Sequence, residues 1–348
     1  MDSKPTGLVA VISMLFLFIQ IICPAGNERC RGHHRSLLRP QRQQPPIPGR
    51  YNSFIQEQQH RRHPYVRALR RYARSSSRLR PLRRVRSTKR RDPIPSPRPA
   101  AATNFVATWI LPYKNDVAIK WITIGNEVFP GDIAPFVAAA IKNVNTALTN
   151  SGVSGIAVTT VVAMSALENS YPPSAASFLP DLTEIMTEIS SILSQTNSPL
   201  MANIYPYFAY ASDPKDISLD YAVFKSNTPV VIDGDLKYSN MFVAMVDGFN
   251  AALEKINARN VVVTVAESGW PTEGNPPYTS VDNARAYNLG LLTCGGATRM
   301  RTPRRPETAV DVFLFEMFRE NQKQGPVEES FGMFSPDMTP VYTLFCPA

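Results

Sequence analysis

Between residues 119 and 316, short apolar runs alternate with helical patterns, and few architectures accommodate that order. The runs are 119–126, 156–163 (Ile-Ala-Val-Thr-Thr-Val-Val-Ala), 199–205, 260–266 and 310–316. They are rich in Val and Ile and bounded by Gly, Pro or Asn, as strands buried on both faces should be. Between the first two, Ile133, Val137, Ile141, Val144 and Leu148 recur at three- and four-residue steps until Gly152. Leu182, Ile185, Ile189 and Leu193 repeat the pattern before the third run, and Phe242, Val246, Phe249, Leu253 and Ile256 before the fourth. Ser280 is the expected N-cap of the next helix, through Ala284, Tyr287 and Leu291. Such alternation specifies a parallel α/β sheet. Periodicity alone leaves an open doubly wound sheet and a closed barrel equally allowed.

Two acids close two of these runs. Glu127 follows Ile119–Asn126 and Glu267 follows Asn260–Ala266. A carboxylate at the carboxyl end of a parallel strand points where a β/α barrel keeps its active site. Two from different strands can face one glycosidic bond.

Composition removes the competing chemistries. All four histidines (His33, His34, His60, His63) precede residue 100, so a Ser-His-Asp triad or an imidazole-bound zinc is excluded from the later part. Cys294 and Cys346 are too far apart to form a zinc knuckle, and at most one disulfide can form once Cys23 is removed with a leader. No phosphate-cradling glycine motif is present. Carboxylate chemistry remains, and it requires neither a metal nor a cofactor.

Charge divides the chain. Residues 27–100 hold 21 Lys and Arg against three acids, a net of +18, whereas residues 101–348 hold 15 basic and 24 acidic residues, a net of −9. Lys4, the apolar run Leu8–Ile22 and Cys23-Pro-Ala25 read as a secretory signal peptide over 1–25, so a secreted, extracellular or cell-wall location is expected. Residues 26–103 read as a disordered Arg/Pro-rich arm, and 104–348 as the globular domain. Tyr51, Phe54, Tyr65 and Tyr72 interleave with the arginines, but no nucleic-acid module accompanies them. The arm is therefore read as a solvated leader ahead of a binding arm, with nucleic acid not an expected partner. A stable membrane anchor is not expected, and the protein is expected to be a monomer.

Six ordered segments resemble the plant glucan endo-1,3-β-glucosidases, glycoside hydrolase family 17. They are Trp121-Ile-Thr-Ile-Gly-Asn-Glu-Val128, Met201–Tyr210, Val265-Ala-Glu-Ser-Gly-Trp-Pro271, Thr302-Pro-Arg-Arg-Pro306, Phe315–Lys323 and Phe331–Tyr342. The resemblance covers about residues 104–348. It implies a (β/α)8 TIM-barrel type of fold cleaving β-1,3-glucan internally with retention, on callose or fungal wall glucan. It also implies that Glu127 is the acid/base and Glu267 the nucleophile, with their carboxyls about 4–7 Å apart. The acid's proton affinity should then exceed the nucleophile's.

Around that pair, Asn126 is expected to hold the sugar 2-hydroxyl. Tyr205, Phe208 and Trp270 offer flat faces for sugar rings, a core role being the alternative for each. The resemblance places Glu320 and Lys323 in the cleft as an ion-paired lining, with Glu328 as a further acid, or Glu329 if counted from Lys323. The family's first three βα units have no counterpart before Trp109, so the barrel is expected to be truncated to about its last five units. A catalytically impaired glucan-binding remnant is the competing reading.

Overall fold

A computed structural model of the protein describes residues 98–115, 117–292, 300–321 and 323–343. The leader expected at 1–25 and nearly all of the arm expected at 26–103 lie outside the described residues. The end of that arm is folded. Pro99–Phe105 forms helix α1, burying Ala102 and Phe105, and continues into a π-helical turn at Val106–Ile110. Pro at the first helical position needs no N–H partner, and the three alanines behind it are the strongest helix formers. The boundary expected at 104 therefore falls inside a helix, and α1 packs against α2, Ala134–Asn150.

All five expected strands form, and they join in one parallel sheet. Its order is β1 (Trp121–Asn126), β2 (Ala157–Ala163), β5 (Leu200–Asn203), β8 (Val263–Ser268) and β9 (Val312–Leu314). Each strand starts one to three residues inside its apolar run. The long helices fill the crossovers: α2, then α3 (Pro180–Gln195), α6 (Met241–Lys255) and α7 (Val281–Leu292). Ser280 Oγ accepts the Asn283 N–H at 3.1 Å and so begins α7, the cap expected from the sequence. Asn240 does the same for α6 through Val243 N–H at 3.0 Å.

Shorter elements occupy the connections at the strands' carboxyl ends. β3 (Leu167–Asn169) pairs antiparallel with β4 (Ser177–Phe178) after β2. After β5 come α4 (Pro206–Ser212), α5 (Leu219–Ala222) and the hairpin of β6 (Val231–Asp233) and β7 (Leu236–Tyr238). The hairpin is tied to the β3–β4 loop by Asp233, which accepts from both the backbone N–H and the hydroxyl of Ser174.

Helix α6 is buried from Met241 to Leu253, including Asp247. That carboxyl accepts from Tyr238 Oη at 3.0 Å, Asn250 Nδ2 at 2.9 Å and the Arg304 backbone N–H at 2.9 Å. Arg304 also grips Glu254 through two guanidinium nitrogens at 3.0 and 2.7 Å. The Thr302–Pro306 motif therefore serves packing: it fastens the segment before β9 onto α6.

The sheet curls until its first and last strands touch through their side chains. The Trp121 ring meets Phe313 edge-on at 5.4 Å between centroids, and Lys120 pairs with Asp311 at 3.6 Å. Inside the curve, Val161, Met201 and Ala266 are fully packed, with Phe313 against them. No described strand pairs with the outer edge of β1 or of β9.

Candidate active site

Two irregularities in strand pairing deliver the acids. Thr123 pairs with Thr159 and Asn126 with Val161, so β1 spends one residue more than β2 over that step. Ala202 pairs with Val265 and Asn203 with Glu267, so β8 likewise carries an extra residue, Ala266. A bulge of this kind turns the following side chain to the other face. Gly125 makes the first one possible, with φ at +80° and an added Cβ only 2.9 Å from a Val128 methyl. Glu127 itself adopts φ of 55° and is held by its N–H to Val161 O at 3.1 Å.

Asn203, at the end of β5, lies between the two acids. Its Nδ2 donates to Glu127 Oε1 at 2.8 Å and to Asn126 Oδ1 at 3.0 Å. Asn126 Nδ2 reaches Glu267 Oε1 at 3.4 Å, a long bond. Glu127 and Glu267 are thus joined through a chain of two amides. Tyr205 Oη donates to the other Glu267 oxygen at 2.8 Å.

Burial pushes the Glu267 carboxyl up to about 7. The Tyr205 hydroxyl opposes that rise, Glu127 adds to it, and Lys323 and Asn126 again oppose it. The residue expected as nucleophile, Glu267, is thus itself held above the ordinary carboxylate range. Its low-dielectric pocket outweighs the donors around it.

Beyond Glu267 stands a second group of charges. Lys323 lies 3.4 Å from Glu320 and 3.9 Å from Glu316, with its ammonium 4.3 Å from the Phe315 ring centre. Burial lifts Glu328, Lys323 lowers it, and Glu127 raises it further. It is Glu328 that stands in the field of both Lys323 and Glu127. Glu320 and Lys323, expected as a pair, are within ion-pair distance.

The aromatics divide. Tyr205 is half-buried and uses its hydroxyl on Glu267 rather than offering only a flat face. Phe208 is half-buried edge-on to Tyr205 at 5.5 Å. Trp270 is a correction: it is fully buried between Tyr207 at 5.3 Å and Tyr287 at 5.5 Å, with Nε1 donating to Tyr278 O at 3.0 Å. It belongs to the core and presents no ring to a ligand. The missed residues are Asn203 and Glu316. Both lay within quoted segments, and a polar residue at the end of an apolar run was the available signal for each.

A family model, "Glycosyl hydrolases family 17", matches residues 94–346. The chain belongs to this family. Among family 17 relatives, "Probable glucan endo-1,3-beta-glucosidase BG5" of Arabidopsis thaliana is 46% identical over 246 residues, covering 70% of this chain and 69% of the relative. "Glucan endo-1,3-beta-glucosidase" of Vitis vinifera is 41% identical over 251 residues, 70% and 72% of the respective chains. Of solved structures, one described as two plant beta-glucan endohydrolases with distinct substrate specificities superposes with a TM-score of 0.66 at 40% identity. It covers 71% of this chain and 78% of that one. CJP38, a beta-1,3-glucanase and allergen of Cryptomeria japonica pollen, gives the same TM-score at 38% identity, covering 71% and 78%. The parallel sheet is thus the sheet of a family 17 barrel, and Glu127 and Glu267 stand at carboxyl ends of two of its strands.

Proposed function

We propose that the chain cleaves β-1,3-glucan internally with retention, using Glu267 as nucleophile and Glu127 as general acid/base. The observation that carries this reading is the Asn126–Asn203 bridge, which holds the two carboxyls on one face at the ends of β1 and β8. Tyr205, Asn126 and Lys323 all favour the ionised form of Glu267, as a nucleophile requires. Glu127 gives its proton to the leaving glycosidic oxygen while Glu267 bonds to the anomeric carbon. Glu127 then takes a proton from water, whose oxygen displaces Glu267 from the same carbon. Asn126 is within reach to hold the sugar 2-hydroxyl, Phe208 lies at the site's edge for ring contact, and Glu320, Lys323 and Glu328 line the far side.

Relatives named for endo-1,3-glucan cleavage support the substrate class. Secretion is proposed from the sequence of residues 1–25, which reads as a leader. Among the described residues no helix is long and apolar enough to cross a membrane.

Incubation of the full chain with a soluble β-1,3-glucan, with Glu267→Gln beside it, tests the reading. Internal cleavage with the β-anomer formed first, lost in the variant while glucan binding persists, is the expected result. Equal inactivity of both proteins, with binding retained, favours the remnant reading instead. That alternative draws on the sheet edges of β1 and β9, which no described strand covers.

A further inference from the structure

Among the described residues near Glu267, Glu316 is the group that the hydrolytic reading leaves without a task. It follows β9, whose Phe315 N–H is bonded to Ser268 O at 2.8 Å, so Glu316 sits directly beside the Glu267 strand. Its side chain is 13% exposed and its Oε1 is buried without a hydrogen-bond partner. Its carboxyl and that of Glu320 converge on one ammonium, Lys323, at 3.9 and 3.4 Å, and bonding to Glu320 raises its proton affinity. Two carboxyls can bond directly only if one carries a proton. An ionised Glu316 would also leave a charged, buried oxygen with no hydrogen bond, offset by Lys323 alone at 3.9 Å, a costly arrangement.

The surrounding charge count points the same way. Glu267 faces the group from β8, Glu320 and Lys323 from the segment after β9, Glu328 from its 3-10 turn and Glu127 from the end of β1. The Tyr205 hydroxyl approaches Glu267 from the end of β5, and Arg319 is turned away to pair with Glu273. Four of these carboxyls, Glu267, Glu316, Glu320 and Glu328, thus share the ammonium of Lys323, while Glu127 acts on Glu267 and Glu328. If Glu316 and Glu320 were both ionised, Lys323 would be bound to two anions, and Glu267 would gain an extra negative neighbour.

We propose that Glu316 is a positioning residue: it stands as a neutral acid donating to Glu320, so that the pair holds Lys323 with one negative charge and leaves the ammonium's field on Glu267. The inference rests on the hydrolytic reading above, and it extends that reading to how the nucleophile is kept usable. Burial, with Glu320 next, pushes the Glu316 carboxyl up to about 9, in keeping with the geometry.

The test has two arms on the full chain. In the first, glutamate side-chain carboxyls are labelled with carbon-13 and titrated by NMR. One resonance should inflect near pH 9 and be absent from Glu316→Gln, with Glu320 sensing the same inflection. Glu316 titrating within a unit of an ordinary glutamate overturns the proposal. The second arm follows kcat/KM for a soluble β-1,3-glucan against pH, each profile normalised to its own maximum. Replacing one neutral group by another in Glu316→Gln should leave the acid limb of Glu267 in place. Lys323→Met should raise that limb by about one unit, since the lowering charge is gone. A fall of a unit in Glu316→Gln, or no rise in Lys323→Met, also overturns it. A folded chain that cleaves no glucan at any pH sinks the hydrolytic reading, while the NMR arm still decides the proton on Glu316.

Discussion

Asn203 Nδ2 lies 2.8 Å from Glu127 Oε1 and 3.0 Å from Asn126 Oδ1, so one amide orients both the acid and its neighbour. Removing it in Asn203→Ala frees the Glu127 carboxyl to rotate and releases Asn126 from its contact. Misplacing a reacting group by about an ångström costs on the order of a hundredfold. We expect kcat/KM on β-1,3-glucan to fall by about that factor, with kcat carrying most of the loss. A fall confined to KM would assign Asn203 to substrate binding instead.

Tyr205 donates to Glu267 at 2.8 Å and favours the ionised carboxyl. Tyr205→Phe should therefore raise the proton affinity of Glu267 beyond its present value of about 7. A hydrogen bond to a charged group contributes about 1.5 kcal/mol, or roughly one unit. The acid limb of the kcat/KM profile should move to higher pH by that amount. A limb that stays in place would show that the hydroxyl does not act on the ionised state.

Stability should fall as pH rises. Glu267 is pushed up to about 7 and Glu316 to about 9, both from 4.5, and burial raises Asp247 and Glu328 as well. Above the ordinary carboxylate range the folded chain therefore binds more protons than the unfolded chain. That contribution is fully present below about pH 4.5 and is lost as pH climbs through 7 and then 9. Calorimetry should show Tm decreasing between about pH 5.5 and pH 9 as these protons are lost. A Tm that increases across the same interval contradicts the buried-carboxyl assignment.

Trp270 is packed between Tyr207 and Tyr287 with its indole N–H satisfied. Trp270→Ala should cost about 3–5 kcal/mol of folding stability, the usual range for a buried aromatic. Denaturant titration measures it. A near-normal midpoint with weakened glucan binding would restore Trp270 to the sugar-binding surface.

The seam between the outer strands has its own signature. Trp121→Ala removes the ring that meets Phe313, which itself packs against Val161, Met201 and Ala266. We expect a loss of about 3 kcal/mol or more, read from the same titration. Unaltered stability would mean that the curl does not depend on that contact.

Fold and site were legible to different depths. Four of the five parallel strands stood out because both faces are buried, which leaves near-continuous apolar runs, whereas β9 is half-buried throughout. The small ladders β3–β4 and β6–β7 did not, since strands of two or three residues carry no period. Glu127 and Glu267 were visible as acids closing strands. Asn203 was hidden because an amide at a strand end has many uses, and only the partner strands show that it spans two carboxyls. Trp270 was misassigned because sequence does not report which way a ring after a strand turns. The Thr302–Pro306 motif stood out in the sequence, but its purpose, bonding to Asp247 and Glu254, depended on the distant α6.

The bulges at the ends of β1 and β8 make the proposed chemistry a matter of odd and even. Flattening the β8 bulge into regular alternation would set Ala266 opposite Asn203 and turn Glu267 outward. The protein would keep its sheet and lose its proposed nucleophile by a change that alters no reactive group. Reactivity here is written partly in how two neighbouring strands count their residues against each other.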